Sequence, residues 1–375
     1  MRILVIPSWY PSGASPTAGI FVAQQVRALA EQADVAVLYV DTTARTSGPA
    51  LADEGGVTVV RTGADASGVY QRFFGYRRTG LAAFEVMRGQ WGMPDIIHVQ
   101  ALWPAALTAR AVRRTYGVPY VVTEHSEEYL VASERRLVKA PGMVPFVLRP
   151  LARGASRTIA VSRFLADRLT ELGLAVDPTV IPNVVPVIDP APAPVTLPHR
   201  ISHVSVMGPA KNLAGLLRAA EELRRRRSDF VLQVVGDGEL KQDLERLAGS
   251  LGLGDVVAFT GRVPEERVRE ILAESAFTVV SSTHETFSVS AAESLMAGRP
   301  VLCTRCGGPE EFITPEVGRL IEAGSVEALV EGLDWTLDHY REFDPHALHE
   351  YACARFAPDV VAAQVLDVYR EVLGG

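Results

Sequence analysis

The chain is 375 residues long, 48% hydrophobic and 22% charged, a length that predicts two domains and a composition ordinary for a globular protein. It has no run of about 18 uncharged apolar residues that would read as a membrane-spanning helix, and its three cysteines argue for a reducing, cytoplasmic setting without a disulfide framework. The net charge of −7 divides unevenly, 19 Lys/Arg against 16 Asp/Glu over 1–190 (+3) and 18 against 28 over 191–375 (−10), and this acidic balance, with no nucleic-acid motif, argues against a nucleic-acid binder.

The chain begins Met1-Arg2-Ile3-Leu4-Val5-Ile6-Pro7. This apolar stretch is too short for a signal peptide and lacks a small-residue cleavage site, so it reads as a first buried strand at 3–6. Helical and strand periods then alternate: a helix over 19–30, strands at 35–40 and 57–61, a helix over 79–90, a strand at 96–99, a helix over 104–116, and strands at 120–123 and 158–161. Prolines at 182, 186, 190, 192, 194 and 198 cannot hold a helix and favour extended backbone, which predicts a linker. Alternation resumes with strands at 203–207, 230–235, 256–260, 277–281 and 300–303, separated by helices over 212–226, 240–251, 264–274 and 290–297. Amphipathic helices over 325–338 and 359–373 close the chain. Two runs of βα units joined by a proline-rich linker predict two doubly wound domains facing a cleft.

The densest chemistry lies in Glu285-Thr286-Phe287-Ser288-Val289-Ser290-Ala291-Ala292-Glu293, behind the buried strand at 277–281 and ahead of Met296-Ala297-Gly298-Arg299-Pro300-Val301. Glu285 falls just past a strand's carboxyl end, where open α/β sheets place ligands. The helix start at 288–291 offers N–H groups and a positive dipole end to an anion. Glu293, on the same helix, suits neutral hydroxyls. A phosphate site beside hydroxyl acceptors is what a sugar nucleotide requires.

This block resembles the Glu-x7-Glu signature of retaining glycosyltransferases of the family 4 kind, and the resemblance runs over nearly the whole chain. It implies an α/β protein of the GT-B fold, with two doubly wound Rossmann-like domains facing a central cleft. Residues 1–184 would form the acceptor-side domain, 185–200 the linker and 201–355 the nucleotide-sugar domain. Residues 356–375 would form a helix packing back on the first domain. The activity implied is transfer of a hexose from a nucleoside-diphosphate donor to a hydroxyl acceptor. It implies no cofactor beyond the donor substrate, and the absence of an Asp-x-Asp motif fits metal independence.

Other motifs take roles from the same resemblance. Lys211, one of only three lysines beside 34 arginines, resembles the lysine that neutralises the leaving diphosphate. The family's arginine five residues earlier is absent, because position 206 is valine, and Arg262 or Arg305 could replace it by location. Ser288, Val289 and the Gly307-Gly308 amides would meet the diphosphate, a nest-like arrangement. Gly236, Arg262 and Val263 would hold the nucleotide. Glu285 would grip donor-sugar hydroxyls, Glu293 the ribose, and His125 would face the transferred sugar. Gly19 would leave room near the acceptor. Each has a plainer alternative: βα-turn glycines, a solvated lysine, a strand-end histidine such as His98, and Cys303 and Cys306 as packing residues rather than a metal or redox pair.

Two basic-aromatic stretches, 70–78 and 135–157, suit either an anionic membrane surface or a solvated face over an apolar one. The partners expected are therefore a nucleotide-sugar donor and a lipid-linked, sugar or small-molecule acceptor, with a peripheral contact at the inner membrane face left open. Cell-envelope, exopolysaccharide or glycosylated-metabolite synthesis is the expected setting. The alternatives are a nucleotide-sugar 2-epimerase-like isomerase and a non-catalytic sugar-nucleotide binder. A dehydrogenase is excluded because Pro7-Ser8-Trp9-Tyr10-Pro11 stands where Gly-x-Gly-x-x-Gly would be needed.

Overall fold

The computed structural model describes residues 1–13, 15–43, 47–64, 71–130, 142–190 and 198–374. Tyr70, Arg135, Lys139 and the linker prolines 192 and 194 lie outside the described residues. The chain forms two compact units, Met1–Val184 with Pro358–Gly375, and Val185–Ala357.

The first unit carries β1 (Arg2–Pro7), α1 (Ile20–Ala30), β2 (Asp34–Asp41), β3 (Ser47–Glu54), β4 (Val57–Gly63), α2 (Tyr76–Trp91), β5 (Ile96–Gln100), α3 (Ala106–Tyr116), β6 (Tyr120–Glu124), α4 (Arg149–Ala152), β7 (Arg157–Ala160), α5 (Arg163–Glu171) and β8 (Thr179–Val180). Its sheet runs β3-β4-β2-β1-β5-β6-β7-β8, parallel except for β3 against β4. The near-continuous apolar strands Ile3–Ile6, Val35–Val40 and Ile96–Val99 are what a sheet covered on both faces requires.

The second unit carries β9 (His199–Val204), α6 (Leu213–Arg224), β10 (Phe230–Val235), α7 (Lys241–Ser250), β11 (Val257–Gly261), α8 (Glu265–Glu274), β12 (Phe277–Val280), α9 (Val289–Met296), β13 (Val301–Thr304), β14 (Gly318–Ile321), α10 (Val326–His339) and α11 (Pro345–Phe356). Its six strands are all parallel, in the order β11-β10-β9-β12-β13-β14. A last helix, α12 (Pro358–Gly374), packs on α1, and its Val361, Ala362, Val365, Leu366 and Tyr369 enter the first unit's core. Among the described residues, no helix is long and apolar enough to cross a membrane.

Several boundaries differ from the sequence expectation. β9 starts at His199 rather than 203, so Val206 lies past the strand and is 69% exposed. The stretch expected as linker is partly built in: Val185 is fully buried, its N–H donating to the Phe356 carbonyl at 2.8 Å. β3, α4, α5, β8, β14 and α11 were not foreseen.

Candidate active site

In the second unit the chain builds β10 and β11 on one side of β9 and β12, β13 and β14 on the other. The carboxyl ends of β9 and β12 therefore form the switch point, the place where open α/β sheets leave room for ligands. Lys211 closes the short turn Pro209–Lys211 after β9, and Glu285 follows β12. The two side chains meet there, Lys211 Nζ lying 2.7 Å from Glu285 Oε1, with both largely shielded from solvent. The Ser282 hydroxyl donates to the same carboxylate oxygen at 2.8 Å.

The backbone beneath is cross-braced. The Thr283 N–H donates to the Ala210 carbonyl at 2.7 Å, and the Ser281 hydroxyl to the Lys211 carbonyl at 2.8 Å. On the other side the Glu285 N–H donates to the Cys306 carbonyl at 2.7 Å, while the Gly308 N–H donates to the Glu285 carbonyl at 3.0 Å. Glu285 is thus held as one rung of a parallel bridge to the loop after β13.

That bridge corrects one expectation. The amides of Gly307 and Gly308 are not turned outward for a diphosphate. Gly307 N–H donates to Glu310 Oε1 at 2.9 Å, and Gly308 N–H is taken by Glu285. Gly308 is glycine because a Cβ there would collide with the Thr286 carbonyl. The helix start that follows Glu285 is that of α9. Its N-cap, Ser288, adopts a left-handed conformation (φ 71°), unusual for a residue with a side chain. Phe287 is locked against Phe312 and Phe356, at ring separations of 5.3 and 5.5 Å, which fixes the approach to the helix. The first-turn N–H groups from Val289 onward have no partner within the helix.

Glu293 sits one turn further along α9. Burial pushes its carboxyl up to about 7, Glu265 at the start of α8 adds to the shift, and Arg269 opposes it. Arg269 is itself paired with Glu265.

The remaining second-unit candidates line the same edge in sheet order. Gly236 (φ 125°) is required by packing, since a Cβ would collide with the Ser205 carbonyl, and a Cβ on Gly238 would crowd Met207. The Gly236 N–H donates to the Gly261 carbonyl at 2.9 Å, which sets the Arg262-Val263 corner beside it. Arg262 is exposed, and Arg305 pairs with Glu310 at 3.2 Å; neither makes a described contact with Lys211 or Glu285. Cys303 and Cys306 are buried, free, and hydrogen-bonded to each other, which with burial pushes the Cys303 thiol up.

Sequence reasoning passed over His203. It lies on β9, buried, bonded through Nδ1 to the Val279 carbonyl and through Nε2 to the Ser205 hydroxyl, both at 2.9 Å. Burial holds its pKa down at about 4, with the Lys211 and Glu285 charges acting in opposite directions. A polar residue inside an apolar strand was the signal available for it.

In the first unit, His125 lies at the carboxyl end of β6, its Nε2 2.7 Å from Gln100 Oε1, and Asn183 bonded to the ring as well. Phe21 of α1 covers it at 4.7 Å between ring centres, and burial lowers its pKa to about 3. Gly19 caps α1 in a left-handed conformation (φ 65°) because a side chain would strike the Trp9 carbonyl. Glu124, fully buried, orders the corner by accepting from the N–H groups of Leu102 and His125 at 2.9 Å and of Ser126 at 3.0 Å. His98 is enclosed between Thr123 Oγ1 at 2.7 Å and the Tyr369 hydroxyl at 2.5 Å, which makes it a tie between β5 and α12.

Comparison with known proteins decides what this edge belongs to. The family model described as glycosyl transferases group 1 matches residues 193–353, and that of glycosyltransferase family 4 matches residues 18–189. The MMP alpha-(1->4)-mannosyltransferase of Mycolicibacterium hassiacum is 30% identical over 312 residues, which cover 78% of this chain and 74% of that one. The chain belongs to the glycosyltransferases. This glycosyltransferase is also 29% identical to the 2-deoxystreptamine glucosyltransferase of Streptomyces kanamyceticus over 316 residues, 77% of this chain and 80% of that one. Among solved structures it resembles Anabaena Alr3699/HepE in complex with UDP-glucose, with a TM-score of 0.74 at 17% identity, covering 99% of this chain and 100% of the other. Its two units are the Rossmann-like domains of the GT-B fold.

Proposed function

We propose that this glycosyltransferase moves a hexose from a nucleoside-diphosphate donor to a hydroxyl acceptor with retention of anomeric configuration and without a metal ion. The observation that carries this reading is the Lys211–Glu285 pair at the switch point of the second sheet, 2.7 Å apart and beside the N-terminus of α9. A cation and a helix start together suit a leaving diphosphate, and a carboxylate beside them suits the hydroxyls of the sugar being released.

In this reading Lys211 turns from Glu285 to the diphosphate when donor binds, and Glu285 is released to the sugar hydroxyls. The first-turn amides of α9 at Val289, capped by Ser288, share the phosphate charge. Glu293 holds the ribose, while the corner formed by Gly236, Arg262 and Val263 holds the base. His125 and Gly19 serve the acceptor side from the first unit. The likeness to a UDP-glucose-binding structure supports a nucleotide-sugar donor. The deoxystreptamine-directed relative supports a small hydroxylic acceptor, alongside envelope or exopolysaccharide acceptors.

Donor turnover across UDP-, GDP-, ADP- and dTDP-sugars, in the presence of chelator, tests this. Slow nucleotide release from one donor, reduced in Glu285→Ala and Lys211→Ala, is expected. Donor binding with no release even with acceptor extracts present would favour a non-catalytic binder. Conversion to an epimeric donor without release would favour an isomerase.

A further inference from the structure

The first unit carries an unpaired basic surface at the sheet edge opposite β3. The helical turn Met143–Leu148 runs directly into α4; Leu148 and Leu151 are buried beneath it, while Phe146 is 80% exposed. Tyr120 ties this run to α3. Its hydroxyl donates to the Leu151 carbonyl at 2.5 Å, and Arg110, Arg113 and Arg114 of α3 act on it electrostatically. Arg113 reaches across to the Gly154 carbonyl. The C-terminal turn of α3, the end of α4 and the turn bearing Phe146 therefore form one surface.

Four arginines on this surface, Arg113, Arg114, Arg153 and Arg157, are exposed. Among the described residues none of them has a carboxylate partner, and the side-chain bonds described for them go to the carbonyls of Gly154 and Ser156. Some exposed arginines elsewhere come with acids, Arg88 with Glu85 and Arg225 with Glu221 and Glu222. Among the described residues Arg27, Arg77, Arg78, Arg218 and Arg262 are exposed without a carboxylate partner, so it is the grouping of four on one surface that sets this face apart. In a chain of net charge −7, a group of four arginines left without counter-ions marks a surface whose anions come from outside.

We propose that this face docks on an anionic lipid bilayer, with Phe146 entering the headgroup boundary and the four arginines lying against lipid phosphates. The exposed ring is the feature that favours lipid over a nucleic-acid duplex. A bilayer boundary takes up an aromatic side chain beside cations without a shaped pocket, whereas a duplex engages arginines through its backbone and gives a lone ring no partner. A single strand would stack its bases on the ring, and the experiment below separates that outcome. This surface is independent of the donor chemistry above, so either can fail alone.

Co-sedimentation of the full chain with phosphatidylcholine vesicles, with and without phosphatidylglycerol, tests the proposal. Wild type should partition onto the anionic vesicles only, and less as salt is raised. Phe146→Ser should weaken partitioning about tenfold, and the double variant Arg114→Gln/Arg153→Gln about tenfold or more. Leu51→Ser, an exposed residue of β3 on the opposite sheet edge, should partition as wild type. All should keep the wild-type unfolding temperature and donor turnover. Absence of wild-type binding, equal binding to neutral vesicles, or no effect of Phe146→Ser would overturn it. Failure on vesicles combined with tight binding to single-stranded RNA would assign the surface to nucleic acid instead.

Discussion

At the scale of single residues, the spacing of Glu285 and Glu293 and the rarity of lysine made the charges of the candidate site legible, because each stands in a motif tied to a strand end or a helix start. Their pairing was not legible, since Lys211 and Glu285 are 74 residues apart and meet only through sheet order. For the same reason the inward-turned amides of Gly307 and Gly308 could not be read: what consumes them is a carboxylate three residues on and the backbone of another loop. Removing a preorganised charge that stabilises a leaving group costs on the order of 10²–10³ in rate. If Lys211 neutralises the leaving diphosphate as proposed, Lys211→Ala should lose that much kcat with the unfolding temperature little changed, as measured by nucleotide release and calorimetry. Glu293 gives a pH signature. Its folded pKa of about 7 lies above the ordinary carboxylate value of 4.5, so folding favours the protonated form and stability falls as pH rises from about 4.5 to about 7. Glu293→Gln should then unfold at a higher temperature than wild type at pH 8, with the difference vanishing near pH 4. If Glu293 accepts ribose hydroxyls as a carboxylate, wild-type donor affinity should also weaken as pH falls below about 7, and the Gln variant should bind weakly and without that dependence. Equal unfolding temperatures at pH 8 would show that the carboxyl is not shifted.

At the scale of elements, most helices and strands were legible because their apolar periods are strong and their ends are marked. The misses have local causes. β3 is the antiparallel edge strand, and its sequence, Ser-Gly-Pro-Ala-Leu-Ala-Asp-Glu, lacks β-branched residues. The hairpin clue was in the turn: Gly55 and Gly56 both take positive φ (66° and 84°), as a two-residue loop of this hand requires. α11 likewise announces itself by Asp344 as cap and Pro345 at the first position. β9 was placed four residues late because its first half carries His199, Arg200 and Ser202, polar residues that the structure buries or edges against β10. Glycines divide by what surrounds them. A Cβ on Gly56 meets open space, so Gly56→Ala should cost about 1 kcal/mol from its positive φ and leave turnover unchanged. A Cβ on Gly308 meets the Thr286 backbone, next to Glu285. Gly308→Ala should therefore displace the bridge that seats Glu285 and lower kcat/KM at least tenfold, beyond any change in stability. Equal turnover of the two variants would mean that the bridge does not position the carboxylate.

At the scale of the whole molecule, alternation of βα units told of two Rossmann-like units, whereas strand order and the return of the chain to the first unit depend on contacts that no local period encodes. The return is abrupt: α11 ends at Phe356 in the second unit, and α12 begins at Pro358 in the first. What makes α12 part of the first unit is burial. Val361, Ala362, Val365, Leu366, Val368 and Tyr369 all lie in the same core as Ile3, Val22, Val37 and Ile96. Fully burying one such side chain contributes roughly 1.5–3 kcal/mol, so the larger ones together approach the whole stability of a domain, about 5–15 kcal/mol. Tyr369 adds a polar tie, its hydroxyl 2.5 Å from His98 Nδ1. A chain ending at Ala357 should therefore lose the first unit and keep the second. Hydrogen exchange should show protection vanishing from β1, β2 and β5 while β9, β10 and β12 retain it. Tyr369→Phe, which keeps the ring and removes the hydroxyl, should cost only about 1–3 kcal/mol, the penalty of leaving a buried partner unmatched. If the truncated chain instead kept protection across β1 to β6, the last helix would be an accessory to that core, and the unit boundary would have to be drawn at Val184 alone.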